Sequence, residues 1–267
     1  GSILSFYSML NLAMITLAQQ LLNLGNVEPV MLFTVACIFL SLSIIPVSMT
    51  LSLAPTPINK VSVDFKKVWR HSHIGIIGSI FTGLITGSFW ALAPIYASDS
   101  SFTTFQLANF MSAVVLGGAL FQIPIGRFSD KYDRRLILIF VALAGGVISF
   151  MTFVASFQDF YAGTVSTALG FLWGAFGMTM YAICLAHAND NADSSDFVDI
   201  GSAMLITYGL SSAIGAPIAS AFMALFGHQY LFVFMGTCFT VFSIILIARR
   251  KSHVLPVIAE DNEEFQA

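Results

Sequence analysis

The residues able to do chemistry crowd into one short segment. Gly126, Asp130, Lys131, Arg134 and Arg135 fall within the ten residues Gly126-Arg127-Phe128-Ser129-Asp130-Lys131-Tyr132-Asp133-Arg134-Arg135. Neither Asp130 with Lys131 nor the more distant pair His187 with Asp190 forms a catalytic set. The chemistry on offer is electrostatic. A carboxylate such as Asp130 suits a helix start, where unpaired N–H groups carry about half a positive charge. Lys131, Arg134 and Arg135 suit an anionic lipid surface.

A second group is neutral. Asn11, Gln19, Gln20, Asn109 and Gln122 carry amides, and Trp90, Trp173, Tyr181 and Tyr208 carry amphipathic rings, all inside apolar runs. An amide facing hydrocarbon is costly, so the amides should face protein or water. There they can contact a solute or hydrogen-bond a neighbouring helix. The tryptophans can stack on an apolar or aromatic ligand, or serve as packing and interfacial belt. Cys37, Cys184 and Cys238 lie in three different apolar runs at no metal-binding spacing, which reads as small packed hydrophobes. There is no nucleotide-binding loop, triad or metal cluster, so neither an enzyme nor a cofactor is expected. No basic face suggests nucleic acid.

The elements that must carry these residues are membrane helices. The chain of 267 residues is 57% apolar and 9% charged, with a mean hydropathy of +0.85; soluble domains carry about 25% charged residues. Eight apolar runs, at residues 3–24, 29–53, 74–97, 105–125, 136–155, 160–187, 197–226 and 229–248, approach the roughly 20 residues needed to span a bilayer. All 11 Lys and Arg lie outside them: Lys60, Lys66, Lys67 and Arg70, then Arg127, Lys131, Arg134 and Arg135, then Arg249, Arg250 and Lys251. Eight crossings put all three clusters on one face, which the positive-inside rule makes cytoplasmic, with the C-terminus. The acids avoid the apolar cores as well, so no mid-membrane carboxylate is available as a proton relay. In a proton-coupled protein the titrating group would lie upstream, or at His187.

The pattern Gly126-x-x-x-Asp130-Lys131-x-x-Arg134-Arg135 between two spans resembles the signature loop of the major facilitator superfamily, with Asp133 where that family usually has a second glycine. The stretches Trp90-Ala91-Leu92-Ala93-Pro94-Ile95-Tyr96 and Pro124-Ile125-Gly126 are similar to a bacterial subgroup, the YcaD-type transporters. The resemblance implies an all-α membrane fold of two six-helix bundles, with this chain supplying the fifth to twelfth helices and lacking the first four. Residues 1–54 would then be the last two helices of the N-terminal bundle and 55–73 a cytoplasmic linker. Residues 74–252 would be a six-helix bundle of two inverted three-helix repeats, and 253–267 a disordered tail. Asp130 would approach the helix start at residues 1–6.

The implied function is secondary active transport of a small organic solute by alternating access across a bacterial inner membrane. The neutral, aromatic-containing residues favour an amphipathic or apolar solute, with efflux a candidate direction and protons a candidate coupling ion. The alternative is a non-transporting sensor or assembly protein on the same fold.

Overall fold

A computed structural model describes residues 2–23, 29–49, 68–70, 72–158, 160–190, 192 and 196–264, and the side chains of residues 2–10, 22, 29, 47 and 250–264 stand outside that description. The fold is helical throughout the described residues. In chain order the helices are α1 (Ser2–Gln20) and α2 (Pro29–Ser48), α3 (His73–Asp99), α4 (Thr104–Lys131) and α5 (Arg134–Ala155), then α6 (Tyr161–Asn189), α7 (Phe197–Phe226) and α8 (Tyr230–Glu264). Six of them, α3 to α8, contain spans long and apolar enough to cross a membrane. The described apolar stretch of α2, Val30–Pro46, is shorter, and α1 is not among the six. Eight crossings are therefore an expectation, and six are shown by length and composition.

Three boundaries differ from the sequence reading. The hinge is tighter than ten residues: α4 runs on to Lys131 and α5 begins at Arg134, leaving only Tyr132 and Asp133 between them. Gly126 is helical, and the turn forms where Asp133 accepts a hydrogen bond from Arg135 N at 2.9 Å as the N-cap of α5. The sixth span is broken. Its first turn, Tyr161–Val165, is π-helical around Gly163 at φ +120°, a region that glycine occupies without steric cost. A second discontinuity separates Gly177 from Met180. Finally, α8 continues to Glu264 through most of the segment read as a disordered tail; Ala259, Glu260, Glu263 and Glu264 are strong helix formers. Most of the expected linker, including Lys60, Lys66 and Lys67, lies outside the described residues.

The closest pairings are α3 with α7, α4 with α6, and α5 with α8. Exchanging α3 with α6, α4 with α7 and α5 with α8 carries the first pairing onto the second and the third onto itself. The α3–α8 contact maps onto α6–α5 in the same way. This is the packing expected of two inverted three-helix repeats. Glycines set the crossings. A Cβ on Gly83 would strike the Tyr208 carbonyl, one on Gly87 would strike Ser212, and one on Gly174 would strike the Val114 carbonyl. Small residues let backbones approach where lipid supplies no hydrophobic drive between helices.

Aromatic rings fill the bundle. Phe89 stacks on Trp173 with centroids 4.4 Å apart; buried Phe110 packs against Phe89 and buried Phe239 against Trp173. Outside this bundle, α1 packs along α4, while α2 leaves nearly all of its described side chains exposed.

Candidate functional site

The charged residues meet at one end of the bundle. Arg134 opens α5 and reaches in three directions. Its Nη2 lies 3.0 Å from Asp130 Oδ1 at the end of α4, and its Nε lies 2.7 Å from Asp190 Oδ2, just past α6. Its Nη1 donates to the Ser129 hydroxyl at 3.2 Å. The guanidinium is half-buried, whereas 68% of the Asp130 side-chain surface is exposed. One planar fork thus joins the ends of three helices, a task for which arginine is better shaped than lysine. Below it lies a cavity of about 130 Å³, lined in part by Gln122, Gly126, Ser129, Asp130, Arg134 and Thr179.

Gly126 and Lys131 belong to the same segment without joining the network: a Cβ on Gly126 would meet nothing within 4 Å, and Lys131 is exposed. Arg135 contributes its backbone N–H to the Asp133 cap. The expected partner of Asp130 falls largely outside the described residues, since Gly1 and the side chains of residues 2–10 are not described. His187 sits one turn before Asp190 and is partly buried.

The amides divide into two groups. Gln20 Nε2 donates to Ser112 Oγ at 2.7 Å and reaches Asn109 Oδ1 at 3.5 Å, while Asn23 Nδ2 donates to Gln20 Oε1 at 2.7 Å. These bonds link the end of α1 to the first third of α4. Asn11 and Gln19 instead line a cleft of about 750 Å³ between α1 and α2, with apolar neighbours such as Met14, Leu32 and Phe39. Gln19 Oε1 is buried without a hydrogen-bond partner among the described residues.

The tryptophans part company. Trp90 is 40% exposed and meets Phe89 edge-on. Trp173 corrects the expectation of a cavity position. It has no exposed surface, and its Nε1 donates to Ser149 Oγ at 3.1 Å. A buried indole needs a partner for its N–H, and Ser149 on α5 supplies one inside the bundle. Tyr181 and Tyr208 face each other across α6 and α7 with ring centroids 5.3 Å apart. The Tyr208 hydroxyl also lies 3.0 Å from Thr86 Oγ1 on α3, so this partly buried cluster spans three helices.

Sequence reasoning weighed Asp190 only beside His187 and missed its pairing with Arg134; it missed Ser112, Asn23, Thr86 and Ser149 altogether. Asp190 alone carried a signal, as a charged residue at the end of an apolar run. The others are small polar residues that look alike along every span.

The family profile of the Major Facilitator Superfamily matches residues 75–265. The chain belongs to the major facilitator superfamily. It is a multi-pass integral membrane protein of that transporter family. Relatives include an uncharacterised MFS-type transporter of Enterobacter sp. (strain 638), 26% identical over 191 residues that cover 70% of this chain and 47% of the relative. One from Yersinia pestis (strain Pestoides F) is 28% identical over 193 residues, covering 71% of this chain and 48% of the relative. The uncharacterised MFS-type transporter YcaD of Shigella flexneri is 27% identical over 190 residues, covering 71% and 47%. The chain therefore spans about half the length of the curated relatives it matches.

Proposed function

We propose that this chain forms part of a secondary active transporter that carries a small amphipathic organic solute by alternating access. The observation carrying this reading is the Arg134 network: a single guanidinium holds carboxylates at the ends of α4 and α6 in a chain of this superfamily. Such a node is bistable, because moving one helix end breaks charge-assisted bonds that can re-form elsewhere. The close glycine crossings let the bundle move as a rigid unit. Asn11, Gln19, Trp90, Tyr181 and Tyr208 offer neutral polar and aromatic surface, which suits a solute without a dominant charge. Export, protons as coupling ion, the bacterial inner membrane and a cytoplasmic C-terminus belong to the same proposal, the last resting on the positive-inside rule. So does an approach of Asp130 to the start of α1.

The test is energised flux. Everted membrane vesicles containing the whole transporter are given a panel of amphipathic fluorescent dyes and of neutral sugars under an imposed proton gradient. Dye accumulation that collapses with the gradient is the expected result. Correctly inserted protein that moves no member of the panel overturns the proposal and favours the sensor or assembly reading.

A further inference from the structure

Three hydroxyls gather well inside the spans. Thr86 lies thirteen residues beyond the start of α3 and Tyr208 eleven beyond the start of α7, about 20 Å and about 17 Å along helices that rise 1.5 Å per residue. Tyr181 on α6 faces Tyr208. A polar group at that depth needs a partner in protein, water or solute.

The direction of the Thr86–Tyr208 bond follows from its neighbour. Thr86 Oγ1 lies 2.7 Å from the Thr82 carbonyl oxygen one turn back, and a carbonyl only accepts. The single Thr86 proton therefore goes to Thr82. Across the 3.0 Å contact the Tyr208 phenol must then donate to Thr86 Oγ1. With its proton committed, the Tyr208 oxygen is left as an acceptor. The Tyr181 hydroxyl has no hydrogen-bond partner among the described residues, so it is free to donate.

The tyrosines border open space. Both are half-buried beside the exposed Ala182 and Gly209, and a Cβ on Gly209 would meet nothing within 4 Å. Helix packing does not require the Tyr208 hydroxyl, because Gly83 and Gly87 already set the α3–α7 crossing. For packing alone a phenylalanine would serve.

We infer that Thr86, Tyr208 and Tyr181 form a polar subsite that selects a solute carrying a hydroxyl or an amide, a group that donates to Tyr208 and accepts from Tyr181. This rests on the transport reading above and narrows its solute class. On their own helices, no Lys, Arg, Asp or Glu lies within eight residues of any of the three, so the recognised group is neutral. The ring faces suit the apolar part of the same solute. An ether only accepts, so it finds one partner where a hydroxyl finds two.

The test compares binding of pyrenebutanol and of its methyl ether to the full-length transporter in phosphatidylcholine nanodiscs, with empty nanodiscs subtracted. The alcohol should bind roughly threefold to tenfold more tightly. Tyr208→Phe should lower the alcohol to the affinity of the ether. Thr86→Val should act in the other direction: the Tyr208 proton loses its acceptor and turns to the ligand, so the ether gains roughly threefold to tenfold. A merely structural contact would not improve one ligand. Thr237→Ala is the control, because that hydroxyl bonds the Val233 carbonyl of its own helix. Equal affinities in the unsubstituted protein, a preference that survives Tyr208→Phe, an ether that gains nothing in folded Thr86→Val, or binding of neither probe overturns the inference. Should Thr86→Val fold poorly, Tyr208→Phe decides alone. Uptake of both probes into everted vesicles separates the two proposals. An alcohol preference without uptake of either probe supports the subsite and overturns the transport reading, whereas uptake without any preference overturns the subsite alone.

Discussion

Arg134 Nε sits 2.7 Å from Asp190 Oδ2, tying the first turn of α5 to the end of α6. The same guanidinium holds Asp130 at 3.0 Å, but the two pairs are unequal. Asp190 is 38% exposed at its side chain and Asp130 68%, so solvent screens the Asp130 pair more and it contributes less to stability.

The consequence is an order of effects. Arg134→Ala should destabilise the most, by about 1–2 kcal/mol after allowing for exposure, followed by Asp190→Asn and then Asp130→Asn. Thermal unfolding in detergent measures this. If the proposed transport function holds, Asp130→Asn in the full-length protein should slow flux while leaving membrane insertion near normal, because its largely exposed carboxylate adds little to folding. A flux equal to that of the unsubstituted protein would show that Asp130 does not influence transport.

Glycine substitutions should split by position. Gly174→Ala drives a methyl group into the Val114 backbone at the α4–α6 crossing and should cost about 1–3 kcal/mol. Gly209→Ala has nothing within 4 Å of the new methyl group and should be neutral, or stabilising by up to about 1 kcal/mol through helix propensity. Equal unfolding temperatures for the two variants would contradict the close crossing.

Trp173 and Trp90 should separate in the same assay. Trp173→Ala removes a fully buried ring, its stack on Phe89 and its bond to Ser149, a loss of about 3–5 kcal/mol for a large core residue. Trp90→Ala removes a ring that is 40% exposed, so its unfolding temperature should barely change. A solute-contacting role for Trp90 would appear as altered transport at unchanged stability.

Sidedness is checked by labelling. Ser98 near the end of α3 and Lys131 at the end of α4 are both exposed. In a Cys37→Ser background, membrane-impermeant maleimide should reach Ser98→Cys and Lys131→Cys from opposite faces of a sealed vesicle. Reaction from one face would overturn the helix count across α4. Ser129 is the poorer reporter in this segment, because it is buried and bonded to Arg134.

Much of this architecture was legible in the residues alone. Length and hydropathy of a span are local quantities, and lipid enforces them because every backbone polar group must be satisfied within the helix. That is why the apolar runs of α3 to α8, and the hinge carrying Asp130, Lys131, Arg134 and Arg135, could be read directly. The hinge boundary was less visible, since no breaker stands between Gly126 and Lys131 and the helix simply continues.

Tertiary structure decided which way each side chain faces. A span that is apolar on every side has little periodicity to mark its buried face, so Trp90 and Trp173 look equivalent along the chain. Their fates diverge because Phe89 and Ser149 enclose the one, while Trp90 remains on the outer surface. The same holds for Gln20 and Asn11, which differ only in that Asn109 and Ser112 stand opposite the first. The sequence alone determined the membrane helices, the charged hinge and the family resemblance, because those depend on composition and short-range spacing. The pairing of Arg134 with Asp190, the bond of Gln20 to Ser112 and the burial of Trp173 came only from the fold, because each depends on residues far apart in sequence meeting across a helix crossing.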